Sequence, residues 1–151
     1  MFSPEKGYQY EAGSHIAFSD KFYANISGFY ILRKIMVQSL GTKDGQTISG
    51  QVGKADSKGL EVDINTRPWQ QFNINAGYTF TVAKLKEYAK NDYAENTQAG
   101  NYLNLVPKHM AYGWAFYDFD RSLKGLKLGV GFNYSSKAYV NTANTLEFEP
   151  Y

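Results

Sequence analysis

Residues 72–82 alternate strictly between bulky apolar and small polar side chains. One side carries Phe72, Ile74, Ala76, Tyr78, Phe80 and Val82, and the other carries Asn73, Asn75, Gly77, Thr79 and Thr81. A strand places two such sets on opposite faces, whereas a helix would mix them. The pattern therefore predicts a β-strand with one apolar face.

Four further segments show the same period of two, and each predicts a strand. They cover residues 8–18, 59–65, 110–117 and 126–135. A sixth strand is predicted within residues 22–37, where apolar side chains occupy both faces in part. The alternation alone does not fix the phase of that strand.

The connections between the predicted strands alternate in length. Residues 19–21, 67–70 and 120–125 form short turns, residues 39–46 form a medium loop, and residues 84–107 form a long polar loop. This rhythm is typical of an antiparallel up-and-down meander. Bacterial outer-membrane barrels have short periplasmic turns and longer outside loops, and their strands reach the roughly 9–11 residues that cross a bilayer.

The orientation of the apolar face decides between a membrane protein and a soluble one. The opposite face is small and neutral in the clearest strands, which is typical of a water-filled lumen with the bulky groups in lipid. We therefore expect Phe72, Tyr78, Trp114 and Phe132 to point outward into hydrocarbon. A soluble β-sandwich or lipocalin-like barrel with an aromatic core has the same alternation and stays open as an alternative.

The number of strands indicates a part of a larger assembly. A membrane barrel needs about eight strands to close. An open sheet edge in lipid would leave backbone groups unpaired, each at a cost of several kcal/mol. If the membrane interpretation holds, the six predicted strands belong to a larger barrel.

Composition excludes several other classes of protein. Aromatic residues make up 17% of the 151 residues, with 13 Tyr and 10 Phe, and 14 glycines accompany them, which favours β-structure. The net charge of +2 comes from scattered basic and acidic residues, so nucleic acid is not an expected partner. There is no cysteine, which excludes disulfides and thiolate metal sites. No apolar run reaches 18 residues and no signal peptide is visible.

Candidate catalytic and metal-binding residues are few. His15 and His109 are the only histidines, and a zinc site needs three or four converging ligands, so no metal site is predicted. No Gly-x-Ser-x-Gly elbow or complete dinucleotide fingerprint occurs. Glu61 and Asp63 are expected to be lumenal charges that pair with basic groups of a plug or of a neighbouring strand, rather than a glycosidase pair or a calcium site. We predict no catalytic residues, no cofactor and no enzyme activity.

Six blocks of the sequence resemble the barrel strands of TonB-dependent siderophore receptors, in the order in which that family has them. Val-Pro-Lys-His at 106–109, followed by Trp114, is similar to the entry of one such strand. The blocks cover residues 3–13, 28–34, 52–62, 74–81, 106–114 and 125–131. Each block is short, but all six coincide with segments that the alternation predicts as strands or strand entries.

The resemblance implies a 22-stranded barrel that is filled by an N-terminal plug and energised by TonB. It implies ferric siderophore uptake at the outer membrane of a Gram-negative bacterium, with outer-membrane lipid, the siderophore and TonB as partners. Residues 1–151 are expected to be part of the barrel domain, without the plug or the last strands. The alternatives are a soluble barrel that binds a small apolar ligand and a smaller porin-like outer-membrane barrel.

The same resemblance gives the long loop a candidate role. It contains Tyr88, Tyr93 and Tyr102 among lysines and acidic residues. Loops on a rigid scaffold often carry recognition residues. Tyrosine rings can stack on a catecholate or hydroxamate chelate while lysines offset its negative charge. These three tyrosines are the predicted ligand-binding residues, and ordinary surface tyrosines of a solvated loop are the alternative.

Overall fold

The computed structural model describes residues 4–87 and 98–151, which form a six-stranded antiparallel sheet followed by a small hairpin. Each strand of the sheet pairs with the next one along the chain. The strands are β1 (Lys6–Ser19), β2 (Phe22–Lys43), β3 (Gln46–Trp69), β4 (Phe72–Glu87), β5 (His109–Asp118) and β6 (Lys127–Ser135). The prediction of an all-β, six-stranded meander is confirmed. No helix in the described ranges has the length and apolarity needed to span a bilayer.

The second and third strands are much longer than predicted. β2 has 22 residues and β3 has 24, and they pair along almost their whole length. Asp44 and Gly45 connect them, with φ angles of 51° and 77°. A two-residue turn with both φ angles positive is the tight hairpin connection that Asp-Gly favours. The medium loop predicted at residues 39–46 is therefore wrong, because this dipeptide closes the hairpin directly.

Three short connections lie together at the opposite end of the sheet. Asp20 and Lys21 join β1 to β2, and the two glutamines Gln70 and Gln71 join β3 to β4. The segment between β5 and β6 contains one turn of 3-10 helix, Arg121–Leu123. The predicted positions of all three turns are confirmed to within a few residues.

Residues 101–103 extend the sheet beside the far end of β4. The Leu85 amide donates to the Asn101 carbonyl at 2.8 Å, and the Leu103 amide donates to the Ala83 carbonyl at 3.0 Å. Leu85 and Leu103 then pack with two small residues in a buried cluster, which consists of Ala55, Ala83, Leu85 and Leu103. The described part of the long loop is thus fixed against the sheet.

A second small element follows β6 at the same end of the sheet. β7 (Ala138–Tyr139) and β8 (Glu147–Phe148) pair as an antiparallel hairpin. The Leu105 amide donates to the Tyr139 carbonyl at 2.8 Å, which ties this hairpin to the β4–β5 connection. The long connections therefore meet in one region, opposite the short turns.

Candidate functional site

Strand register sorts the side chains of the sheet onto two faces. Residues directly opposite each other in an antiparallel pair lie on the same face. Tyr78 is opposite Val62 on β3 and Ala111 on β5, and Val62 is opposite Ile26 on β2. We call this the apolar face. In the middle of the sheet it carries Ala24, Ile26, Leu60, Val62, Ile64, Phe72, Ile74, Ala76, Tyr78, Phe80, Ala111, Gly113, Ala115, Val130 and Phe132.

The apolar face is exposed rather than packed into a core. Val130 is 72% exposed and Phe132 is 59% exposed. A soluble protein would bury a contiguous apolar surface of this kind, whereas hydrocarbon solvates it. Register also fixes the phase of β2, since Ala24, Ile26 and Tyr30 share this face.

Trp114 does not lie on the apolar face, so that part of the predicted orientation is wrong. It is opposite Asn75 on β4 and Gly131 on β6. Tyr112 and Phe116 share its side, which we call the mixed face. The alternation in β5 predicts the larger rings outward, but Ala111, Gly113 and Ala115 occupy the outward positions in the middle of this strand. Phe72, Tyr78 and Phe132 do lie together on the apolar face, as predicted.

The apolar face has the height of a bilayer core. On β4 it runs from Phe72 to Val82, ten residue steps of about 3.3 Å, which a strand tilt of about 40° reduces to a height of about 25 Å. Ring pairs mark the end with the short turns, where Trp69 stacks on Phe72 with centroids 5.1 Å apart. Beyond Val82 the same face turns charged, because Lys84 and Lys86 follow on β4.

The mixed face combines hydrogen-bonded polar groups with rings that lie over glycines. Tyr112 Oη donates to Asp63 Oδ1 at 2.9 Å, and its ring covers Gly77 on the neighbouring strand. The Trp114 ring covers Gly131 in the same way. Asp63 therefore accepts a hydrogen bond from a tyrosine hydroxyl, and its pairing with a basic group of a plug or of a neighbouring strand stays a prediction. The arrangement gives this face polar groups that are already held in place.

Of the three predicted ligand-binding tyrosines, the structure places one. Tyr88 and Tyr93 lie outside the described residues. Tyr102 forms an isolated antiparallel bridge with Lys84, so its side chain shares the side of Lys84, Val82 and Phe80. This is the apolar face, just beyond the end of the apolar band, and not the face that carries Asp63 and Tyr112.

Two lysines converge on the Tyr102 ring. Lys108 Nζ lies 4.2 Å from the ring centroid and Lys84 Nζ lies 4.6 Å from it. Tyr139 stacks against the same ring, with centroids 5.8 Å apart and an interplanar angle of 23°. We call these four residues the Tyr102 cluster. Positive charges near a phenol favour its ionised form, and hydrogen bonding from Lys108 is the largest cause of the lowered pKa of Tyr102.

Asn144 fixes the backbone of Tyr102 from the β7–β8 connection. Its Oδ1 accepts from the Tyr102 amide at 2.6 Å, and its Nδ2 donates to the Tyr102 carbonyl at 2.9 Å. The cluster is therefore held from two loops at once. A half-open cavity of about 210 Å³ adjoins it, lined by Tyr102, Lys108, His109, Ser136, Lys137, Tyr139 and Glu147, among others.

Replacing Lys108 with glutamine is expected to raise the pKa of Tyr102. The change removes the hydrogen bond and the charge that hold this pKa down, and it leaves the opposing effect of burial. Replacing Lys84 is expected to have a smaller effect in the same direction. NMR titration of labelled tyrosine rings measures the pKa, with Tyr102→Phe to assign the signal and Lys124→Gln as control. An unchanged pKa in Lys108→Gln would contradict the geometry.

The histidines have local partners. His15 Nδ1 donates to Asn25 Oδ1 at 2.6 Å on the mixed face. His109 Nδ1 and the Tyr78 hydroxyl are 2.7 Å apart on the apolar face. Within the described ranges no three His, Asp or Glu side chains converge as a metal site would require. The two histidines belong to separate strands and opposite faces of the sheet.

Sequence reasoning did not find Lys108 or Tyr139 as members of a cluster with Tyr102. The family resemblance places Lys108 in a strand-entry block, and the sequence pattern gives Tyr139 only as an aromatic residue late in the sixth strand. One signal in the sequence could have indicated the position of Lys108. It directly precedes His109, the first residue of β5, which pairs with Phe80 near the end of the apolar band. No local pattern reveals that Tyr139 returns to stack on Tyr102.

Comparisons with known proteins agree in family and fold. The family model described as TonB dependent receptor-like, beta-barrel matches residues 1–151. The ferrichrome outer membrane transporter/phage receptor of Escherichia coli K12 is 32% identical over 152 residues, covering 100% of this chain and 19% of that protein. The crystal structure of the siderophore receptor PiuA from Acinetobacter baumannii aligns with a TM-score of 0.76 at 26% identity, covering 100% of this chain and 21% of that one.

A further solved structure supports the fold alone. The ferric yersiniabactin uptake receptor FyuA from Yersinia pestis aligns with a TM-score of 0.77 at 22% identity, over 99% of this chain and 21% of that one. The chain spans about a fifth of the length of the relatives that it matches. The match argues against the alternative of a soluble barrel. Both the exposed apolar face and the membership in a family of membrane barrels indicate that this face contacts lipid.

Proposed function

The chain belongs to the family of TonB-dependent receptor β-barrels, and on that premise we propose that it forms part of an outer-membrane receptor for ferric siderophores. The observation that carries this proposal is the match of the family model to all 151 residues, together with relatives named for ferrichrome and siderophore uptake. In this proposal the protein lies in the outer membrane of a Gram-negative bacterium. It binds a ferric chelate outside the cell and passes it through the barrel when TonB acts on a plug.

The two faces of the sheet support this role. An apolar band about 25 Å high suits the hydrocarbon of a bilayer. The mixed face, with the Tyr112–Asp63 hydrogen bond, suits a hydrated interior that polar solutes and a plug can contact. Nothing in this mechanism makes or breaks a covalent bond in the chelate, so the protein is proposed to be a transporter and not an enzyme.

The three loop tyrosines have different roles in this proposal. Tyr88 and Tyr93 stay the proposed chelate contacts, since they belong to an outside connection of the barrel. Tyr102 faces the opposite side of the sheet from Asp63 and Tyr112. Its geometry therefore does not favour contact with a chelate that enters the lumen.

Uptake measurements test the proposal. The receptor that carries this chain is expressed in an outer membrane whose own siderophore receptors have been deleted. Growth under iron limitation is followed with hydroxamate and catecholate siderophores. We expect growth with at least one siderophore and loss of that growth when TonB is deleted. Tyr88→Ala with Tyr93→Ala is expected to weaken chelate binding about tenfold, the value of one or two lost ring contacts. No TonB-dependent growth with any chelate would overturn the proposal.

A further inference from the structure

The connection between β4 and β5 is hydrogen-bonded on both of its sides. Toward β4, the Leu103 amide donates to the Ala83 carbonyl at 3.0 Å. On the other side lies the segment that follows β6. We call residues 136–148, which contain β7 and β8, the strap. The Leu105 amide donates to the Tyr139 carbonyl of the strap at 2.8 Å, so the connection is held on two sides, as an interior strand of a sheet is.

Asn144 takes the place of a neighbouring strand beside Tyr102. The N–H and C=O of Tyr102 both point toward the strap. Asn144 Oδ1 accepts from that N–H at 2.6 Å, and Asn144 Nδ2 donates to that C=O at 2.9 Å. A carboxamide has the same donor and acceptor groups as a peptide unit, so this one side chain satisfies both backbone groups. Asn144 is therefore the centre of the contact between the two segments.

A further hydrogen bond and a charge interaction join the same two segments. Asn101 Nδ2 donates to the Thr142 carbonyl at 2.9 Å. In the strap, a hydrogen bond from Lys137 is the largest cause of the lowered pKa of Glu147, and the charge of Lys108 lowers that pKa as well. The carboxylate of the strap is thus attracted to a cation of the β4–β5 connection.

The tip of the strap is fixed by its own hydrogen bonds. Asn141 Oδ1 accepts from the Thr145 amide at 3.0 Å, and Asn141 Nδ2 donates to Thr145 Oγ1 at 2.7 Å. Asn144 lies inside this turn with a φ of 58°, a left-handed conformation that asparagine tolerates better than most residues. The side chain that holds Tyr102 is therefore presented from a turn that is already ordered.

We propose that the strap holds the β4–β5 connection in the arrangement that receives the chelate, with Asn144 as its central positioning residue, and that the two segments stay joined during import. The inference rests on the proposed function, because the proposed chelate contacts Tyr88 and Tyr93 belong to the same connection. A connection that is already fixed loses less freedom when a ligand binds, and this favours affinity.

Replacing Asn144 with glycine tests the strap. Glycine adopts the left-handed conformation freely, so the change removes both hydrogen bonds to Tyr102 without straining the backbone. In the receptor that carries this chain, placed in nanodiscs, we expect hydrogen–deuterium exchange of the amides of residues 101–105 to become about tenfold faster. In cells, the KM for import of the siderophore that supports growth, loaded with radioactive iron, is expected to rise about three- to tenfold, with an unchanged maximal rate.

Arg121→Gly is the matched control. Arg121 has a φ of 52° and is exposed at the short-turn end of the sheet. The change again replaces a left-handed residue with glycine, but at the opposite end from the strap. It should alter neither the exchange of residues 101–105 nor the KM for import.

A cross-link between the strap and the connection separates positioning from a general loss of stability. This chain has no cysteine, and the Asn101 side chain contacts the Thr142 carbonyl, so Asn101→Cys with Thr142→Cys places two thiols across the contact. Joining these thiols with a short cleavable bismaleimide should restore the KM in the Asn144→Gly background. With Asn144 present, the same cross-link should leave the KM and the maximal rate of import as they were before joining.

Three results would count against the strap or its role. Unchanged exchange of residues 101–105 in Asn144→Gly would show that the strap does not hold the connection. Faster exchange with an unchanged KM would remove its role in chelate recognition. A cross-link that stops import until it is cleaved would show that the two segments must separate. A receptor that imports no siderophore refutes the proposed function instead, and the exchange measurement then still decides whether the strap holds the connection.

Discussion

Replacing Val62 with arginine is expected to destabilise the membrane-inserted receptor by about 2–4 kcal/mol, the cost measured for a lipid-facing arginine near the bilayer midplane. Val62 lies opposite Tyr78 and Ile26, on the apolar face and near the middle of the apolar band. An arginine there must carry its charge into hydrocarbon, and at this height its side chain is poorly placed to reach water at either surface. Equilibrium unfolding in denaturant, from a phospholipid bilayer, measures the free energy.

Thr79→Arg is the matched control for this change. Thr79 is opposite Glu61 on β3, on the mixed face, at nearly the same height in the sheet. In a hydrated lumen the new charge stays solvated and has a carboxylate as neighbour, so we expect a change within about 0.5 kcal/mol. If Thr79→Arg were the costlier of the two, the assignment of the faces to lipid and water would be reversed.

Replacing Gly77 with alanine is expected to cost about 1–3 kcal/mol, because it forces a side chain into occupied space. A Cβ at this position would overlap the Tyr112 ring and come within 2.7 Å of Asp63 Oδ1. The ring would have to move, and the hydrogen bond between Tyr112 and Asp63 would weaken. The same denaturant titration measures the loss.

Gly28→Ala and a double-mutant cycle separate the clash with the Tyr112 ring from the general effect of replacing a glycine in a strand. A Cβ on Gly28 would come no closer than 3.8 Å to a neighbour, the Gly59 carbonyl oxygen. We expect Gly28→Ala to be neutral or slightly stabilising. In a Tyr112→Ala background, Gly77→Ala should lose most of its cost. A cost that persists without the ring would show that Asp63 Oδ1, and not the ring, excludes the methyl group.

The sequence predicts β4 and β6 well because lipid favours apolar side chains on one face of these strands and water favours small polar ones on the other. In β4 every residue from Phe72 to Val82 obeys that rule, so the period of two gives both the strand and its faces. In β5 it gives the strand but the wrong faces. Rings on the mixed face lie over glycines there, while Ala111, Gly113 and Ala115 face outward. Side-chain size is then a poor guide to orientation, and only the register with β4 decides.

The long hairpin and the Tyr102 cluster show two different limits of sequence reasoning. The Asp44–Gly45 turn has a local signal, the Asp-Gly dipeptide, but Gly41 nearby also fits the longer loop predicted at residues 39–46. The cluster has no local signal, because Lys84, Lys108 and Tyr139 come together through strand pairing and the return of β7. Tyr102 is predicted from its place in the long loop and from the family resemblance, but the face on which it lies follows only from its bridge to Lys84.

The rings that cover glycines on the mixed face also constrain how this sheet can drift during evolution. Gly77 is occupied by the ring of Tyr112, and Gly131 by that of Trp114, each from a neighbouring strand. Neither glycine can gain a side chain while its ring remains. Loss of the ring relieves only part of the crowding, because a Cβ at Gly77 would still lie 2.7 Å from Asp63 Oδ1 and one at Gly131 would still lie 2.8 Å from the Gly113 carbonyl oxygen. Substitutions at these glycines therefore depend on residues elsewhere in the sequence, because the aromatic partner must change first.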